Sequence, residues 1–123
     1  MISLKPLEDI NEKKAYFEKV GIEFGTDSGC VVCKDGNTVL GFSLYELNSE
    51  KMVVNYIEPL TDIGLADGIL RSTLHVAAQR GVMNAFYEEC LQEFVAKIKF
   101  IKNADEKRLD IDKLFQSCCS CGN

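Results

Sequence analysis

The sequence has no apolar run approaching the roughly 18 residues of a membrane-crossing helix. Its first residues, MISLKPLEDINEKK, lack the apolar core of a secretory signal. The expectation is a soluble, cytoplasmic protein with no membrane partner. A basic surplus is also missing: 14 Lys and Arg stand against 19 Asp and Glu, a net charge of −5. With no basic stripe to release counterions from a phosphate backbone, nucleic acid is not expected as a partner. Histidine is scarce. His75 is the only one, and it falls off the apolar stripe of its predicted helix, which assigns it to the surface.

Cysteine, in contrast, is plentiful, with six in the chain. Cytosolic thiols stay reduced, so metal binding, redox chemistry or plain burial is a better reading than a disulfide framework. The chain has 123 residues, 46% of them hydrophobic, enough for one domain with a sizeable core.

The pattern of elements reads as follows. Ile2–Leu4 is a short strand stopped by Pro6. Asp9 or Asn11 caps a helix that runs to Val20 and ends at Gly21, with Ala15, Phe17 and Val20 partly buried. CVVCKD, the turn Asp35-Gly36-Asn37 and TVLGFSLYEL make a hairpin, and MVVNYIEP after the turn NSEK adds a third antiparallel strand. Ile69, Leu70, Thr73, Leu74 and Ala77 line one face of a helix predicted over Asp67–Arg80, with Gly81 behind it. Val82–Tyr87 is a strand, Cys90–Lys97 a short helix, and Phe100–Lys102 with Arg108–Ile111 a closing hairpin. Strand, helix, strand implies a right-handed crossover and a parallel pair. The fold class is α/β (α+β): a mixed sheet with helices on its faces. Ligands in such sheets favour crevices at the carboxyl ends of strands, which is where Glu58–Ala66 lies.

The hairpin VLGFSLYEL, the strand ending YIEP, GLADGILRSTLHVAAQRGV and KIKFIK together resemble the GNAT superfamily of N-acetyltransferases, over roughly Cys30–Ile111. The resemblance implies a mostly antiparallel central sheet and one domain over residues 1–111 with a shortened N-terminal part over 1–29; the residues beyond it, 112–123, read as a cysteine-rich tail. It implies acetyl-CoA as acyl donor and a small-molecule or peptide amine as acceptor. Gly64-Leu65-Ala66 matches the G-x-A half of the family's cofactor loop, so the amides of Ile63, Gly64, Leu65, Ala66 and Asp67 would face the pyrophosphate. The backbone of Tyr56 and Ile57 would pair with pantetheine, and Glu58 would take the amine proton. The loop physics is general: unpaired N–H groups and a helix dipole favour an anion, and glycine lets it approach. This chain departs from the family at Thr61, where the family has Gln or Arg, and in the acidic Asp62 and Asp67. The tyrosine register on the family's last helix falls near Phe94-Val95.

Cys30 and Cys33, as C-x-x-C, and Cys118, Cys119 and Cys121, as CCSC, form a candidate set for zinc or another thiophilic metal, without the usual paired C-x-x-C spacing. In a strand, positions i and i+3 face opposite sides, which favours burial for the first pair. The competing functional expectation is therefore a non-catalytic GNAT-fold binding or regulatory module with a metal- or redox-responsive tail. The oligomeric state is not legible; a dimer through sheet edges is neither supported nor excluded.

Overall fold

The computed structural model describes residues 2–115. Along the chain run β1 (Ile2–Pro6), α1 (Ile10–Val20), β2 (Ser28–Asp35), β3 (Thr38–Leu47), β4 (Met52–Glu58), α2 (Ile63–Gln79), β5 (Ala85–Tyr87), a 3-10 turn Glu89–Leu91, α3 (Gln92–Lys97), β6 (Ile101–Asn103) and β7 (Arg108–Leu109). One seven-stranded sheet holds the strands in the order β1-β2-β3-β4-β5-β7-β6. Every neighbouring pair is antiparallel except β4 with β5, which the α2 crossover makes parallel. Among the described residues no helix is long and apolar enough to cross a membrane.

The two long helices lie on opposite faces. α1 starts where the Asp9 carboxylate accepts from the amides of Asn11 and Glu12, and stops at Gly21, whose φ of +85° suits a residue without Cβ. Of its three expected core residues Phe17 is buried and Val20 half-buried, but Ala15 is exposed. α1 covers a small core of Phe17, Cys30, Val32, Phe42 and Leu44. α2 covers the larger core. Its stripe of Ala66, Ile69, Leu70, Thr73, Leu74 and Ala77 is fully buried, and each large aliphatic there contributes about 1.5–3 kcal/mol of burial.

A hydroxyl pair sets how α2 lies on the sheet. Thr73 Oγ1 donates to the Ile69 carbonyl at 2.7 Å, so the Ser43 hydroxyl of β3, 2.5 Å away, must donate to Thr73. Both residues are fully buried. β3 passes close beneath at Gly41, where a Cβ would lie 2.6 Å from the Glu58 carbonyl oxygen. Only glycine permits that approach.

Several expectations change: β1 runs through Pro6, and the last strand ends at Leu109, not Ile111. α2 begins at Ile63, not Asp67, because the Asp62 side chain caps it and accepts from the Leu65 amide. The fifth strand is shorter than Val82–Tyr87, since the Val82 amide is still used to close α2 on the Ala77 carbonyl. Cys30 and Cys33 cannot serve one metal together, because β2 turns Cys30 into the α1 core and Cys33 into the α2 core.

Candidate functional site

The candidate site lies where β4 and β5 part. Their parallel pairing runs through Met52, Val53 and Val54, and the last bond is from the Glu88 amide to the Val54 carbonyl at 3.1 Å. After Glu88 the chain winds into the 3-10 turn, while β4 continues to Glu58. The β5 side of Asn55–Glu58 is thereby left without a strand.

A bulge sharpens this break. Leu44 faces Tyr56 across the β3–β4 ladder, yet the next residue, Tyr45, faces Val54, so Asn55 is the extra residue. The bulge also inverts the alternation of side chains. Val54 and Ile57 enter the α2 core, whereas Tyr56 packs on the α1 core. Asn55 itself is 7% exposed, and its Oδ1 is buried with no hydrogen-bond donor in reach among the described residues. Its carbonyl accepts a bond from the Cys90 thiol at 3.4 Å. Burial, then the neighbouring Glu88 carboxylate, push the Cys90 thiol up from its ordinary pKa.

On the α2 side the gap opens into a groove of about 520 Å³ bounded by Leu60, Ile63, Cys90 and Phe94. Its charged rim is Glu89, Glu93 and Lys97. Glu89 pairs with Lys107 at 3.4 Å. The first turn of α2 forms the wall. By helix geometry the amides of Ile63, Gly64 and Leu65 have no intrahelical acceptor, and Asp62 Oδ1 takes the third at 3.1 Å. Ala66 is already bonded to the Asp62 carbonyl at 2.9 Å. Asp67 is tied to Arg71 at 3.0 Å. The Asp67 amide is inside the helix, where helix geometry gives it the Ile63 carbonyl, so of the five expected cradle residues two have amides with neither an intrahelical nor a capping acceptor: Ile63 and Gly64. Gly64 is helical and not in a turn, and a Cβ built on it meets only Asp62 Oδ1, at 3.8 Å. Nothing in the fold requires glycine there, although glycine costs roughly 0.5–1 kcal/mol in a helix.

On the α1 side the gap shows a different surface. The Tyr56 hydroxyl donates to Glu58 Oε1 at 2.8 Å, and Lys19 Nζ approaches Glu58 Oε2 at 3.8 Å. The hydrogen bond to Glu58, followed by burial, raises the Tyr56 phenol above its usual range. Tyr16, Phe42 and Tyr56 form a continuous aromatic floor, with ring centres 4.7 and 5.9 Å apart. Tyr87, at the other lip, gives its hydroxyl to Gln92 Oε1 at 2.5 Å.

Three solved structures share this architecture. The ribosomal-protein-S18-alanine N-acetyltransferase of Escherichia coli superposes with a TM-score of 0.59 at 10% identity, covering 88% of this chain and 88% of that one. A GNAT family acetyltransferase from Elizabethkingia anophelis, solved with acetyl-CoA bound, gives 0.55 at 12% identity over 80% and 74%. A ribosomal-protein-alanine N-acetyltransferase from Brucella melitensis gives 0.57 at 10% over 80% and 90%. The chain has the GNAT fold. No protein-family model and no curated protein matches it. At these identities the likeness carries the GNAT fold alone, so the site has to be judged on its own residues.

Of the expected residues Ile63 lines the groove on the α2 side, Tyr56 and Glu58 meet on the α1 side, and Ile57 is buried in the α2 core. The fold keeps Cys30 and Cys33 out of the site: both are fully buried, and burial pushes the Cys30 thiol up to about 12, which disfavours the thiolate that a metal requires. Among the described residues no group of three or more His, Cys, Asp or Glu is placed to hold a metal. Cys118, Cys119 and Cys121 lie outside the described residues. His75 is exposed on α2. Sequence reasoning missed Asn55, Cys90, Lys19 and the capping role of Asp62. A polar residue inside the apolar run VVNYI was a signal for the first, and an aspartate three residues before an amide on an amphipathic run was a signal for the last. Lys19 and Cys90 carried none.

Proposed function

We propose that the protein is an N-acyltransferase that uses acetyl-CoA as donor and a small-molecule or peptide amine as acceptor. The observation that supports this most is the parting of β4 from β5 after Val54, which leaves β4 from Tyr56 onward without a strand partner on that side. The residues present fit an acyl-CoA arm. The buried, partnerless Asn55 Oδ1 and the free edge of Tyr56 and Ile57 offer polar groups for an extended amide chain. The open amides of Ile63 and Gly64 offer two donors for a phosphate, and glycine at position 64 leaves space for it. The bound donor supplies an acyl group activated as a thioester.

The chain's own groups do the rest. The edge of β4 aligns the donor, and the groove wall of Leu60 and Phe94 excludes water from it. Glu58 stands at the end of β4 on the opposite face, where it takes a proton from an approaching amine. Tyr56 holds the Glu58 carboxylate in orientation through its hydrogen bond. The reducing cytoplasm is the compartment in which the free thiols Cys30, Cys33 and Cys90 would persist.

One observation favours the second reading, a GNAT-fold binding or regulatory module without catalysis. The Asp62 carboxylate occupies the Leu65 amide and places negative charge at the mouth where a phosphate would enter. Calorimetric titration with acetyl-CoA under reducing conditions, on the native chain and on Gly64→Glu, decides between them. Glutamate at this helix start suits the helix dipole and its Cβ has space, so the variant folds but repels an anion. Micromolar binding that disappears in Gly64→Glu supports the transferase. Absence of heat at millimolar ligand supports the module.

A further inference from the structure

The α1 face of the opening already holds a primary amine. Lys19 Nζ lies 5.4 Å from the centre of the Phe42 ring and 3.8 Å from Glu58 Oε2. Phe42 and Glu58 are direct cross-strand partners on β3 and β4, so ring and carboxylate are presented side by side. Tyr16 and Tyr56 extend the aromatic floor on either side of Phe42. An aromatic face and a carboxylate are the two groups that together recognise an alkylammonium. The Lys19 side chain is 63% exposed, so it is free to swing along this floor.

We propose that Lys19 is an internal acyl acceptor, N-acetylated by the protein itself from acetyl-CoA at the end of β4. This rests on the transferase reading above, and it names the acceptor chemistry of that same site: an unbranched alkylamine of lysine type, lying on Phe42 against Glu58. In the reaction the Lys19 ammonium gives one proton to the Glu58 carboxylate, which frees the nitrogen lone pair. The nitrogen attacks the thioester carbonyl; a C–N bond forms and the C–S bond breaks. The second proton leaves the nitrogen and ends on the CoA thiolate as thiol, while Glu58 returns its proton to water. The product is a neutral acetyl-lysine. It has lost both its attraction to Glu58 and its charge over the ring, so it leaves the floor open to an external amine.

Lys14, exposed on the same helix, is the internal reference. The full chain is incubated with acetyl-CoA, digested, and acetylation at the two lysines compared by mass spectrometry, with donor binding measured in parallel by calorimetry. The expected result is at least tenfold more acetylation at Lys19 than at Lys14, a rate per molecule independent of protein concentration, and a fall to the Lys14 level in Glu58→Gln. With a CoA-free acyl donor, the N-hydroxysuccinimide ester of acetate, Lys19 should show no such preference. Five results overturn the proposal. If acetyl-CoA binds but Lys19 is modified no more than Lys14, the internal acceptor is excluded and the transferase reading survives. If acetyl-CoA does not bind, both fall. A preference that persists in Glu58→Gln, or that appears equally with the ester, reduces Lys19 to an intrinsically reactive surface amine. A rate proportional to protein concentration means transfer between molecules.

Discussion

Replacing Gly64 with alanine pulls apart what the fold needs from what a ligand needs. The residue sits in the first turn of α2 with an ordinary helical backbone, and an added Cβ would touch only Asp62 Oδ1, at 3.8 Å. Nothing is crowded, so the change should follow helix propensity and stabilise the protein by roughly 0.5–1 kcal/mol. A chain of 123 residues unfolds with an entropy near 260 cal/mol/K at about 2.1 cal/mol/K per residue. The gain therefore appears as a rise in Tm of about 2–4 °C by calorimetry or circular dichroism. The same methyl group would stand at the mouth of the helix, beside the amides of Ile63 and Gly64. If a phosphate packs there, affinity for acetyl-CoA should fall about tenfold, or about 1.4 kcal/mol. Stability and binding then move in opposite directions. A fall in Tm would refute the helical assignment of Gly64. A rise in Tm with unchanged affinity would refute the idea that this glycine is kept for a ligand.

Asp62→Ala should show the converse trade: loss of the cap costs about 1 kcal/mol, while the freed Leu65 amide and the lost negative charge tighten acetyl-CoA binding; weaker binding would mean the cap orders the amides instead of blocking them. In urea titrations, Thr73→Val should cost about 1–3 kcal/mol because the buried Ser43 hydroxyl loses its acceptor. Adding Ser43→Ala should then recover part of that loss, and strict additivity would show the two hydroxyls to be uncoupled. Cys30 predicts an alkaline weakness. Its thiol keeps the proton to about pH 12 in the fold but only to about 9 when unfolded, burial being the main cause. Its contribution is thus complete below pH 9 and is lost as pH rises toward 12, by up to about 1.4 kcal/mol per unit. Cys30→Ala should flatten that part of the stability curve, and an unchanged slope would place the titrating group elsewhere.

The parts of this fold that were legible are those written in local periodicity. The glycine after INEKKAYFEKV marked the end of α1, and its start was narrowed to Asp9 or Asn11, of which the structure uses Asp9. The five-residue apolar stripe fixed the buried face of α2, and apolar runs broken by Asp35–Asn37 and by NSEK fixed the antiparallel strands. The period-two rule also separated Cys30 from Cys33. The start of α2 was misjudged because glycine at 64 and 68 reads as loop, while the capping carboxylate that overrides this is one residue among several acidic ones. The bulge at Asn55 was out of reach, since register is a property of two strands and neither states it alone. The meeting of Lys19 with Glu58 and Phe42 depends on how α1 lies across the sheet, and no spacing within α1 encodes that. The candidate site was thus legible as a place, the end of YIEP, but not as a set of side chains.

The brevity of β5 has a mechanical consequence. The first four strands are joined by long ladders, whereas everything after α2 is attached to them through Met52, Val53 and Val54 alone in the sheet. In the sheet the molecule is therefore two panels on a narrow seam, and a single core beneath α2 spans both. The later panel, with strands of two and three residues, should open first and most often, so its amides should exchange with solvent well before those of β2 and β3. A donor lying between β4 and the 3-10 turn would then pin the two panels together. Its binding energy would be partly spent in holding the panels shut, and it would be released whenever they breathe.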